Sequence, residues 1–152
     1  MIQGVYVKKL KKISDERGFL MEMLRDDDTF FKEFGQVYMT VCNPGYVKAW
    51  HYHKKQDDNF VVIKGKGRIG LCDIREKSST KGEVMEFIIG EDNLTLIFIP
   101  LGVAHGFEAV GAEPCYLINC VTKNYNYDNP DEERIDPFRN EIPFKWNNKK
   151  GG

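Results

Sequence analysis

The sequence predicts an all-β protein, a sandwich or a closed barrel. Short runs rich in β-branched and aromatic residues recur along the chain, turn signals separate them, and only one brief segment has helical character. Val37 to Val41 opens the series. Asn59 to Ile63 follows and stops at Lys64-Gly65-Lys66-Gly67, and Arg68 to Asp73 alternates polar with apolar. Val84 to Ile89, Leu94 to Ile99 and Cys115 to Val121 complete it. Between them stand Asn43-Pro44-Gly45, Ser78 to Gly82, Gly90 to Asn93 and Gly111 to Pro114, all built from turn-forming residues. The helical segment is Asp28 to Phe34. Asp28-Thr29 is expected to cap a short helix carrying Phe30, Phe31 and Phe34, with Asp26-Asp27-Asp28 at its positive dipole end. From Asn124 onward the chain is polar with scattered aromatics, which predicts an irregular C-terminal arm laid on the barrel. Residues 1–146 are read as a single domain and 147–152 as a flexible tail.

Composition narrows the function. The 152 residues carry 22 Lys and Arg against 23 Asp and Glu, a net charge of -1, so no global field favours nucleic acid or an anionic membrane. There is no signal-peptide pattern at Met1-Ile2-Gln3-Gly4, and no stretch approaches the roughly 20 apolar residues of a membrane span, so a cytoplasmic location is expected. Cys42, Cys72, Cys115 and Cys120 lack CxxC spacing and read as free thiols. Lys8 to Lys12 reads as a solvated strand edge. No GxGxxG, P-loop or Ser-His-Asp pattern supports nicotinamide, ATP or hydrolase chemistry.

All three histidines fall in two short motifs. Gly45 leads, after five residues, to His51-Tyr52-His53, then Asp58 and Gly65; Pro100-Leu101-Gly102-Val103-Ala104-His105 is the second. These resemble the two cupin motifs, with Asp58 where Glu is usual and Ala109 where Asn is usual. Residues i and i+2 of a strand share a face, so His51 and His53 point together. Trp50 alternates with them and is expected to pack between barrel layers. Two uses of such a cleft remain open on the residues alone. His51, His53, Asp58 and His105 suit a divalent metal. Alternatively, His51 is a general base and the others bind substrate.

The chain resembles the dTDP-4-dehydrorhamnose 3,5-epimerase family from Asp15 to Trp146. Asp15-Glu16-Arg17-Gly18-Phe19-Leu20-Met21-Glu22 resembles its DxRGxFxE element. Gln36, Thr40, Gly45, Lys48 and His51 match the spacing of QxNxSxSxxGxxRGLH. Asp73-Ile74-Arg75, the Ser78-Thr80-Gly82 series, Asn93, Ile99 to Gly102 and Ala104 to Phe107 follow in the family's order. Asn129 to Arg134 and Asp136-Pro137 resemble its PExER…DP ending. The resemblance implies a homodimeric, jelly-roll-like cupin that needs no metal or other cofactor and acts on a nucleotide-linked 4-keto-6-deoxyhexose. It implies His51 as base, Asp136 as the acid that orients it, and Lys48 and His105 near the reacting sugar as donors to the developing oxyanion. It further implies Arg17 and Glu22 on the nucleotide, in part from the partner subunit, with Gln36, His53, Asp58 and Tyr116 in the substrate site. Tyr125 and Tyr127 on the arm are expected over that site.

The pattern also departs from the family. The family's acid is a Tyr on the strand after AHGF, where counting reaches Ile118 or, with one insertion, Asn119; Tyr116 is the nearest candidate substitute. Asp58 stands where the family has Lys, Lys48 where it has Arg, and His53 where it has Gln. Single-site epimerisation, another ketosugar, a metal-using relative and a non-catalytic nucleotide-sugar binder are each compatible with these changes.

Overall fold

Burial sorts the chain into layers, with the central strands Asp58–Lys64, Thr95–Ile99 and Val103–Ala109 buried along most or all of their length. The computed structural model describes residues 1–152. Its strands are β1 (Tyr6–Lys9), β2 (Lys12–Asp15), β3 (Gly18–Met21), β4 (Gln36–Cys42), β5 (Tyr46–Tyr52), β6 (Asp58–Lys64), β7 (Lys66–Asp73), β8 (Val84–Gly90), β9 (Thr95–Ile99), β10 (Val103–Ala109) and β11 (Cys115–Val121), followed by the short β12 (Glu133–Arg134) and β13 (Lys150–Gly151). One sheet runs β1-β9-β6-β11-β4, and the facing sheet runs β12-β5-β10-β7-β8, with β13 added parallel to β5. Hairpin β2-β3 pairs only with itself. Phe60, Val62, Ile97, Ile99 and Leu117 from the first sheet meet Ile69, Leu71 and Phe107 from the second in one apolar core. The four cysteines are free thiols, three of them buried. No helix is long and apolar enough to cross a membrane.

The expected helix does not form. Asp28 to Phe34 is a turn followed by irregular chain. The Asp28 carboxylate takes Lys8 Nζ at 2.6 Å and the backbone N–H of Arg25 at 2.9 Å. Phe30 is buried against Tyr6 and Phe98. Seven residues repay helix nucleation poorly, and anchoring one aromatic in the core fixes the turn instead. Trp50 departs from expectation too. It is fully buried on the outer face of the second sheet, where Phe144 and Trp146 of the C-terminal arm lie 5.4 and 4.9 Å from it.

The tail expected to be free is tied down. Glu108, buried on β10, accepts N–H bonds from Asn147 at 3.1 Å and Asn148 at 2.9 Å while pairing with Arg68 at 2.8 Å. Glu108→Ala strips Arg68 of its buried partner and releases the tail, and is expected to cost about 3 kcal/mol. Denaturant unfolding, read as a fall in midpoint at constant slope, checks this.

Candidate functional site

A cleft of about 420 Å³ opens between the two sheets. The second sheet gives it Lys48 and His51 from β5, His53 just beyond, and His105 from β10; β4 gives Gln36, Tyr38 and Thr40. Tyr125, Tyr127, Asp131, Glu132 and Arg134 of the arm close its mouth.

Period-two alternation would put Lys48 and His51 on opposite faces, yet both line the cleft. The register explains it. His105 pairs with His51 and Phe107 with Lys48, so three steps on β5 oppose two on β10. This is a β-bulge, and it turns both Ala49 and Trp50 to the outer face. Gly106 makes it fit, because a Cβ there would stand 2.2 Å from that of Ala49.

His51 Nδ1 donates to Glu132 Oε1 at 2.9 Å, which leaves the lone pair on Nε2. Strand β12 places the carboxylate by pairing Glu133 with Tyr52 and Arg134 with His51. Arg134 in turn donates to Glu132 Oε1 at 3.0 and 2.9 Å. Partial burial lowers the His51 pKa below 6.5, and Glu132 opposes part of that shift. Burial would raise the Glu132 pKa, but Arg134 and His51 outweigh it and hold the carboxyl below its usual range.

Asp136, expected in this role, does not occupy it. Its carboxylate is exposed and accepts the backbone N–H groups of Phe138 and Arg139 at 2.8 and 2.9 Å. An Asp before Pro137 builds a turn, and the acid that reaches the imidazole stands four residues earlier.

Deeper in the cleft, His53 Nδ1 donates to the Asp131 carbonyl and His105 Nδ1 to the Val103 carbonyl, the latter at 3.0 Å. A carbonyl only accepts, so both rings carry a proton on Nδ1 and aim Nε2 toward Asp58 Oδ2, at 3.7 and 3.8 Å. Burial holds His105 down to about 3, so the ring is neutral, and burial raises the Asp58 carboxyl. The oxyanion-donor role expected for His105 therefore fails, since its one N–H is spent on Val103. Lys48 remains available as a cation. Its Nζ reaches across the cleft to Thr40 Oγ1 at 2.8 Å.

Gln36 stands at the rim and accepts the Tyr125 N–H at 2.7 Å. Tyr125 and Tyr127 meet edge to face at 5.0 Å over the mouth. Three expected residues lie elsewhere in this chain. Tyr116 points out of β11, with Lys64 over its ring at 5.4 Å, because the inward positions belong to Cys115, Leu117, Asn119 and Val121. Arg17 pairs with Asp15 on the exposed hairpin, and Glu22 pairs with Arg25. Glu132, Arg134 and Tyr38 carry site contacts that sequence reasoning did not assign to them. Tyr38 occupies the Asn position of the QxN pattern, which is the one signal that marked it.

Known proteins resemble this chain over nearly its whole length. The family model for dTDP-4-dehydrorhamnose 3,5-epimerase matches residues 1–151. A spore coat polysaccharide biosynthesis protein of Bacillus subtilis is 49% identical over 148 residues, covering 97% of both chains. A Haloferax volcanii protein named "Probable low-salt glycan biosynthesis epimerase" is 44% identical over 148 residues, 96% of this chain and 95% of its own. The crystal structure of a dTDP sugar isomerase from Desulfovibrio desulfuricans superimposes with a TM-score of 0.88 at 34% identity, covering 95% of this chain and 92% of the other.

Proposed function

Since the chain belongs to the dTDP-4-dehydrorhamnose 3,5-epimerase family, we propose that it inverts a carbon next to the 4-keto group of a nucleotide-linked 4-keto-6-deoxyhexose. The observation that carries this reading is the His51–Glu132 pair at 2.9 Å on the cleft wall. A neutral imidazole with its tautomer fixed by a carboxylate is a base poised near working pH.

Protons on carbons 3 and 5 of such a sugar are acidified by the ketone between them. His51 Nε2 takes one, and the C–H pair moves into the enolate. Lys48 supplies positive charge to the enolate oxygen, a contribution of roughly 3 kcal/mol by analogy with other oxyanion sites. Glu132 stabilises the imidazolium that results, and Arg134 keeps Glu132 ionised. Tyr125 and Tyr127 offer aromatic faces to the nucleotide at the mouth.

We extend the reading to a homodimer in the cytoplasm that serves polysaccharide synthesis. Hairpin β2-β3 stands clear of both sheets with Ile13, Phe19 and Leu20 exposed, and a second copy that covers it would carry Arg17 and Glu22 to a neighbouring cleft.

A second reading has its own observation. Candidate ligand atoms of His53, Asp58 and His105, two imidazole nitrogens and a carboxylate oxygen, lie within 4.8 Å of one another. In both rings the other N–H is held by a carbonyl, as it is for many metal-bound histidines. This arrangement suits a divalent cation.

One experiment separates the readings. Protein purified without added metal is assayed in deuterium oxide with dTDP-4-keto-6-deoxyglucose, alongside metal analysis. The epimerase reading expects deuterium at carbon 3 or 5 from protein holding no stoichiometric metal. A tightly held metal whose removal abolishes exchange would establish the second reading instead. Binding with no exchange on this or other nucleotide-ketosugars would leave a binding protein.

A further inference from the structure

We infer that Tyr38 is the catalytic acid of this cleft, delivering a proton to the sugar face opposite His51. The inference rests on the epimerase reading and adds the residue that turns proton exchange into inversion.

Inversion through a planar enolate needs two groups on opposite faces. If His51 both takes and returns the proton, the carbon keeps its configuration. The base stands on β5, in the second sheet, so the second group must come from the facing wall. The first sheet lines the cleft with Gln36, Tyr38 and Thr40 from β4, Phe60 from β6 and Val121 from β11. Among these only the Tyr38 phenol has a proton acidic enough to give to an enolate carbon.

The phenol is held for that task. Its oxygen accepts Asn119 Nδ2 at 2.9 Å, which leaves its own hydrogen free of that bond. The Asn119 amide cannot turn over. Its Oδ1 takes the Asn59 N–H at 2.9 Å, and Nδ2 also donates to Asp58 Oδ1 at 2.7 Å, all in a fully buried position. Desolvation, and then the Asp58 charge, push the phenol up to about 12, so it is protonated at neutral pH.

Register explains how the acid arrived here. Asn119 on β11 is directly opposite Tyr38 on β4. Asn119 occupies the inward position after AHGF where the family's Tyr is expected, and Tyr38 occupies the Asn position of the QxN pattern. The phenol and the amide have exchanged strands across one rung, about 5 Å. The step balances: the Tyr38 O–H bond breaks, its proton forms the new C–H bond, and the enolate pair returns to the carbon as the ketone re-forms. His51 is left protonated and Tyr38 as phenolate, and solvent exchange resets both.

Tyr38→Phe tests this in deuterium oxide with dTDP-4-keto-6-deoxyglucose, with Tyr116→Phe, whose ring points out of β11 away from the cleft, as its control. NMR reads exchange at carbons 3 and 5, and product analysis reads inversion. Calorimetric dTDP affinity verifies that each variant is folded. Tyr38→Phe is expected to keep exchange and lose inversion by about 100-fold or more, while Tyr116→Phe keeps both. Inversion by Tyr38→Phe at the wild-type rate overturns the proposal. So does joint loss of exchange and inversion in Tyr38→Phe with dTDP affinity intact, or an equal loss of inversion in Tyr116→Phe. If wild-type protein neither exchanges nor inverts, the epimerase reading itself falls.

Discussion

His51→Ala is expected to abolish deuterium exchange at the carbons flanking the ketone, with turnover falling by roughly 10³–10⁴-fold. Nucleotide affinity should stay within a few-fold, because the imidazole faces the sugar rather than the base or diphosphate. The metal reading predicts another outcome. There His53, Asp58 and His105 hold the cation, so His53→Ala would be the more damaging change and His51→Ala the milder one. The pH profile adds a second check. The base works as neutral imidazole, and burial lowers its pKa below 6.5. Activity should therefore hold as pH falls through that value and decline only at a lower one. A wild-type acid limb above 6.5 would contradict the assignment.

Legibility in the sequence followed the distance over which each feature is determined. Strands were readable because apolar runs and turn residues are local, and the His51-Tyr52-His53 pair because a two-residue period puts both rings on one face. The helix expected at Asp28 failed where local capping competed with tertiary packing, since Phe30 is anchored against Tyr6 and Phe98. Tyr38 read as one strand aromatic among several. Its significance appears only when β4 and β11 are set in register and Asn119 falls opposite. The bulge at Ala49-Trp50 was equally hidden, because alternation alone places Lys48 and His51 on opposite faces. Tyr116 misled for the converse reason. It is near the expected acid in sequence but has the wrong parity to point inward.

The orienting carboxylate was the hardest to read. Asp131, Glu132, Glu133 and Asp136 crowd one segment of the arm, and no period applies to irregular chain. Two backbone bonds between Trp50 and Ile135, at 3.1 and 3.0 Å, settle which acid reaches the base. They dock the arm along β5 so that Glu132 reaches Nδ1 of the ring while the Asp136 carboxylate is used in a turn with Phe138 and Arg139. Glu132→Gln is thus expected to lower turnover by about 10²–10⁴-fold, since an amide no longer fixes the Nδ1–H tautomer or offsets the imidazolium charge. Asp136→Asn should leave turnover within about 2-fold, because an Asn serves the same turn. Loss of packing alone would not move the pH profile, but loss of this charge does. Glu132 raises the His51 pKa against the effect of burial, so Glu132→Gln lets it fall further and carries the acid limb to lower pH. Equal losses from both variants, or a limb that stays in place in Glu132→Gln, would show that this carboxylate shapes the arm rather than the base.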